Sequence, residues 1–235
     1  MQSRYRSKFR KLLFHLFELK PKTAVLRPLF SLIFYGTWYV YSIGLPTLPI
    51  NHKDNVFITK GKQRIDRIFN LEKIIQNVLV LDNKRLERRR NDFKAIRYNL
   101  NLKSTKEFIA HELSLDQMKK DINEIMLINS VKWKLSNNFF KIEPKYLAGI
   151  SIRNLQGNLI ATCSGFFTKD FFNIEYLLTI ASDYSLSSRW VLHEKIVDMT
   201  NERGYGYIRI SNYQHTSLKN LYFNQRLGYK DFNLK

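Results

Sequence analysis

The 235-residue chain predicts an α/β fold, a mixed and mostly antiparallel central sheet flanked by helices. Three observations carry that prediction. From Glu175 to Lys235 the chain reads as strand, helix, strand, helix and strand, the pattern of an α/β ending with two crossovers. Between Tyr146 and Ala181, runs rich in apolar and β-branched residues are separated by turn residues, as in an antiparallel meander. From Leu186 to Arg203 the apolar residues recur at helical spacing, with Leu186, Trp190, Leu192, Ile196, Val197 and Met199 on one half of the wheel. Ser187, Glu194, Lys195, Asp198 and Asn201 lie mostly on the other half.

Taken in order, the chain opens with a basic amphipathic segment at residues 1–24. Arg and Lys dominate it through Lys11, Leu12 to Leu19 supply the apolar group, and Pro21 stops the helix. Such a segment suits an anionic membrane surface or a helix packed on the domain. Arg27 is followed by no charged residue until Lys53. The intervening stretch is long enough for a membrane span, but Gly36, Thr37, Ser42 and the prolines favour two strands, FSLIFY and TWYVYSI. NVFITKG reads as a further strand, Lys60 to Lys73 as a surface helix with Ile65, Ile68, Leu71 and Ile74 inward, and NVLVLD as a short strand. A basic helix follows, with Arg85, Arg88, Arg89, Arg90, Lys94 and Arg97 beside Leu86, Phe93, Ile96 and Leu100. Lys106 to Asn129 reads as helix, with a restart suggested by Ser114 and Asp116. In the meander, Gln156-Gly157 marks a hairpin and Phe171 to Asn173 a looser turn. Gly204 ends the long helix as a C′ glycine.

Composition narrows the chemistry. With 39 Lys plus Arg against 20 Asp plus Glu, the formal charge is +19, which attracts nucleic acid, anionic membrane or an anionic substrate without choosing among them. The lone Cys163 excludes an internal disulfide framework, and five dispersed histidines give no zinc spacing, so no metal is expected. Arg189 and His193 break the sorting of the long helix by projecting from its apolar half near its start. There, free N–H groups favour an anion. Two readings stand for both residues: the edge of a buried stripe, or part of a site for an anionic ligand.

The ending TSLKNLYFNQ-RLGY, with Arg226 to Tyr229 as its turn, resembles the C-terminal signature of the GNAT acyltransferase superfamily. The order of long helix, Gly-Tyr break, short strand and Leu-Gly-Tyr turn is similar to its FemAB-like branch of aminoacyl-tRNA-dependent and related N-acyltransferases. The basic run holding Arg90, Asn91, Lys94, Ile96 and Arg97 resembles that branch as well, since a guanidinium fork engages phosphate or carboxylate in two-point contact. No glycine-rich pyrophosphate loop precedes the long helix. Ser182 to Arg189, SDYSLSSR, stands in its place.

The resemblance implies a GNAT-like domain over 25–235, with a divergent N-terminal half at 25–105, acting as an acyltransferase. The implied donor is acyl-CoA or aminoacyl-tRNA, and the implied acceptor is an amine. Ser187, Ser188 and Arg189 are the expected donor contacts. Arg90, Lys94, Arg97, Trp133 and His193 are the expected substrate contacts. Asn224 occupies the position where the family carries lysine or tyrosine; it donates a hydrogen bond but supplies no proton, and Tyr222 is the other catalytic candidate. Such donors place the protein in the cytoplasm, with tRNA and peripheral contact to the inner membrane face as partners. The alternative is a non-catalytic protein of the same fold that binds an anionic membrane or nucleic acid. Oligomeric state is not legible in the sequence.

Overall fold

Alternation along the strands decides which side chains meet which helix. The computed structural model describes residues 45, 47–48, 74–81, 94–101, 107–130, 139–180, 185–210 and 223–234. Its elements are β1 (Thr47–Leu48), β2 (Ile74–Val80), α1 (Lys94–Leu100), β3 (Ile109–Glu112), α2 (Leu115–Ile128), β4 (Leu147–Arg153), β5 (Leu159–Phe167), β6 (Phe171–Thr179), α3 (Ser185–Glu202), β7 (Tyr207–Ile210) and β8 (Lys230–Leu234). The segment 1–24, the expected strands between Phe30 and Ile43, the strand from Asn55, the helix from Lys60 to Lys73, and Arg85 to Arg90 lie outside the described residues.

The chain divides into two compact units. One comprises residues 1–76, 212–222 and 231–235. In it β1 runs parallel to β8, with Thr47 opposite Asn233 and Leu48 opposite Leu234. The other comprises residues 77–211 and 223–230. Its strands follow the order β2-β7-β6-β5-β4-β3. Every neighbouring pair in that order is antiparallel except β6 and β7, which are parallel and joined through α3. The sheet is therefore mixed and largely antiparallel, with helices on its flanks.

Successive strand residues point to opposite faces, and two cores result. Ala148, Ile150, Ile152, Cys163, Phe172, Ile174 and Ile208 pack with Trp190, Leu192 and Ile196 of α3 and Ile96 of α1. Leu147, Phe166 and Tyr176 face the other way, against Met118, Ile122 and Met126 of α2. Gly149 lets α2 sit this close, because a Cβ there would lie 2.9 Å from Met118 Cγ. Arg153 at the end of β4 fastens α2 to the sheet through a 2.8 Å ion pair with the fully buried Asp121, which also accepts from Gln117 Nε2 at 2.6 Å.

Three local expectations need correction. Lys106 to Asn129 is not one helix: β3 occupies 109–112, and Leu113 N–H still donates to Gly149 O before α2 begins. Ser114 caps α2, its hydroxyl accepting from Gln117 N–H, so the helix starts where the restart was suggested. Pairing with β4 outweighs the helical spacing of Phe108, Ile109 and Leu113. The loose turn falls at 168–170 rather than 171–173, closed by Thr168 N–H on Phe171 O, because Phe171 to Asn173 already pair with β5 and β7. Glu194, placed on the polar half of the long helix, is buried with Ser187, Ser188, His193 and Thr200. α1 packs on α3 as well, so more than one side of that helix is covered.

Candidate active site

Among the described residues, β6 and β7 pair in parallel at four positions. Phe171, Phe172, Asn173 and Ile174 pair with Tyr207, Ile208, Arg209 and Ile210, and there the described part of β7 ends. β6 runs on to Thr179 before the chain enters α3. Among the described residues, the stretch of β6 beyond Ile174 thus has no partner on its β7 side. On its other side the register slips at the same point. Gly165 pairs with Ile174 and Ser164 with Tyr176, which leaves Glu175 as the extra, bulged residue. Gly165 permits the bulge, because a Cβ at that position would run into the backbone carbonyl of Asn173 and the ring of Phe172. The result is a strand whose pairing with β5 is interrupted at one defined residue, just past its parallel register with β7.

Glu175 is only partly buried, and burial pushes its carboxyl above the usual range while the charge of Arg209 pulls it back. Arg209 is buried, and desolvation lowers its pKa to about 10, leaving it a cation near neutral pH. Its partner in the parallel register, Asn173, donates from Nδ2 to Phe166 O at 3.2 Å and Thr168 Oγ1 at 3.1 Å.

The start of α3 forms the second part of the site. Ser187 and Ser188 are buried in its first turn. Arg189 is half-buried, with its guanidinium 4.2 Å from the centre of the Phe223 ring, and burial lowers its pKa to about 10. Trp190 meets Phe223 edge-on at 5.0 Å, and Arg226 stacks over Trp190 at 5.7 Å. These alternating cations and rings clasp the helical turn at 223–226 to the beginning of α3. Asn224 sits within that clasp and is buried. Its backbone carbonyl accepts from both Leu227 N–H and Tyr229 N–H, and Gly228 takes a φ of 93° to make this possible. The Leu-Gly-Tyr turn is therefore a helix cap: Leu227 and Tyr229 anchor it in the core, and a 2.8 Å hydrogen bond joins Tyr229 Oη to His193 Nε2.

Of the residues singled out from the sequence, Ser187, Ser188, Arg189 and Asn224 gather at this end of α3. His193 lies one turn further along, fully buried against Tyr229 rather than facing a cleft. Lys94 and Arg97 are exposed on α1. Arg90, Trp133 and Tyr222 lie outside the described residues. Glu175 and Arg209 escaped the sequence reading. Their signal was a charged side chain inside each of two strand-like apolar runs, IEYLLTIA and YIRIS. Among the described residues, no three His, Cys, Asp or Glu side chains converge as metal ligands.

No protein-family model and no curated protein matches the chain. Solved structures do. FemX superposes with a TM-score of 0.54 at 8% identity, over 76% of this chain and 68% of FemX. A C-terminal DUF2156 domain from Agrobacterium fabrum gives a TM-score of 0.47 at 13% identity, over 72% of this chain and 62% of its own. L-PGS from Bacillus licheniformis gives 0.46 at 11%, over 73% and 63%. The chain thus spans less than two thirds of the length of these last two proteins. The likeness to FemX is one of fold: the mixed sheet with its β6–α3–β7 unit and bulge is consistent with a GNAT-like α/β architecture.

Proposed function

We propose that the protein is an N-acyltransferase of the FemAB-like kind, moving an acyl or aminoacyl group from an anionic donor to an amine. The observation that carries this reading is the bulge at Glu175, where the pairing of β6 with β5 slips just past its parallel register with β7. A donor carbonyl set against that stretch would meet backbone N–H groups that have no β7 partner among the described residues, an arrangement that stabilises a developing oxyanion. The donor's phosphates fit the start of α3, where helix N–H groups, Ser187, Ser188 and the cationic Arg189 are gathered. Arg97, exposed on α1, and the overall charge of +19 suit an anionic partner, with aminoacyl-tRNA and acyl-CoA as the two donor classes.

The transfer itself needs one proton moved. The neutral amine attacks the donor carbonyl carbon and forms the C–N bond; the amine proton passes to the Glu175 carboxylate. The tetrahedral centre then collapses, breaking the bond to the donor's sulfur or oxygen, and the leaving group takes a proton. Glu175 suits the base role because partial burial raises the proton affinity of its carboxylate toward the working range. Asn224, next to Phe223 in the Arg189–Phe223–Trp190 clasp, would contribute a hydrogen bond rather than a proton.

The test uses radiolabelled aminoacyl-tRNA and acyl-CoA in separate reactions with a panel of amines. Transfer from either donor is expected, with E175Q slowed at least ~100-fold. Absence of both transfer and donor binding would sink the reading and favour a non-catalytic protein of this fold bound to membrane or nucleic acid.

A further inference from the structure

A buried cation beside the bulge calls for an explanation of its own. Arg209 projects from β7 on the face covered by α2, since its neighbour Ile208 packs on the α3 side. It pairs with Asn173, two residues before Glu175, and its guanidinium lies 5.8 Å from the centre of the Phe171 ring. Its Nε has no hydrogen-bond partner among the described residues, and neither has Asn173 Oδ1 directly across the register. Among the described residues, hydrogen bonding at Nε therefore does not account for keeping a guanidinium here.

Among the described residues, the titratable groups on this side of the sheet with resolved contacts are engaged with other partners. On α2, Asp121 is held by Arg153 and Gln117, and Lys119 lies over the Phe140 ring. On β6, Tyr176 packs against Phe139 and Phe140. On β7 itself, Tyr207 lies beside Phe171. Glu175 is the carboxyl whose charge acts on Arg209, and Arg209 the cation that acts on Glu175.

We propose that Arg209 is the positioning residue of this site, its fixed charge keeping the Glu175 carboxyl ionised at the bulge and ready to accept a proton. Two opposed effects meet at Glu175. Burial favours the neutral acid, and a neutral acid takes no proton from an amine; the neighbouring cation offsets part of that effect and favours the carboxylate. The fold sets the two side chains on neighbouring strands, because the parallel register brings Arg209 level with Asn173, two residues before the bulged Glu175.

The consequence for catalysis rests on the acyl-transfer reading, but the charge effect is measurable without it. Protein labelled with 13C at glutamate carboxyls is titrated by NMR, with the Glu175 signal assigned by its loss in E175Q. Removing the charge in R209Q is expected to raise the Glu175 midpoint by about one pH unit, and R209K to return it most of the way. R209M is made beside R209Q, because its unbranched apolar stem retains packing near Phe171 if glutamine is not tolerated. A midpoint that stays or falls in the variants that fold overturns the assignment. In turnover assays the acid limb of kcat/KM should move with the midpoint. If the midpoint moves while E175Q transfers at the unmodified rate, Glu175 is not the base and only the acyl-transfer mechanism falls.

Discussion

Glu175 illustrates the cost of placing a functional group inside a sheet. Burial raises its pKa, so the folded protein holds that proton more tightly than the unfolded chain. Between the ordinary glutamate value and the raised native value, the native state binds more protons, and stability falls as pH rises through that window. E175Q removes this dependence. It is expected to show a higher Tm than the unmodified protein at pH 7 and about the same Tm at pH 4, by calorimetry at both pH values. A lower Tm at pH 7 would mean that the carboxylate gains more from Arg209 than it loses by burial. Activity and stability thus pull in opposite directions at this residue.

At the scale of elements, the bulge depends on what β5 lacks. Gly165 has no Cβ to meet the Asn173 carbonyl and the Phe172 ring, and Gly149 leaves room for Met118 of α2. G165A is expected to cost about 2–3 kcal/mol, the range for overpacking a well-filled interior, read as a lower urea midpoint. The same variant should impair transfer, since it presses β6 away at Asn173, two residues before the bulged Glu175. The C-terminal Leu-Gly-Tyr turn acts through packing as well: Gly228 supplies the left-handed conformation, while Leu227 and Tyr229 fix the helical turn that carries Asn224. A motif noticed through a family resemblance therefore has a physical task, which is to hold its neighbour in place.

At the scale of the whole molecule, α2 and α3 cover opposite faces of one sheet, and the α2 side is secured by the Asp121–Arg153 pair. R153M leaves a fully buried carboxylate with Gln117 as its remaining side-chain partner, and should destabilise by roughly 3 kcal/mol. Unfolding in urea monitored by tryptophan fluorescence checks this, with D121N/R153M expected to recover part of the loss. Among the described residues no helix is long and apolar enough to cross a membrane.

Much of this architecture was legible in local patterns. The meander from Leu147 to Thr179 showed itself through β-branched runs and a Gln-Gly turn, and α3 through the spacing of Trp190, Leu192, Ile196 and Met199. Helix limits at Ser114 and Gly204 were legible because capping is a local interaction. β3 was not, since four residues with helical spacing became a strand only through pairing with β4. Burial of Glu194 was hidden too, because a wheel shows one apolar face and gives no sign that α1 covers another side, whereas burial of His193 was one of the two readings its place on the apolar half allowed.

The sequence alone thus determined the mixed sheet, the α3 crossover and the gathering of Ser187, Ser188 and Arg189 at one helix start, all consequences of short-range spacing. Tertiary structure decided where β6 bulges, and that Glu175 and Arg209, far apart in the chain, lie on neighbouring strands. That meeting depends on parallel register and on a glycine in a third strand, and no local periodicity encodes either.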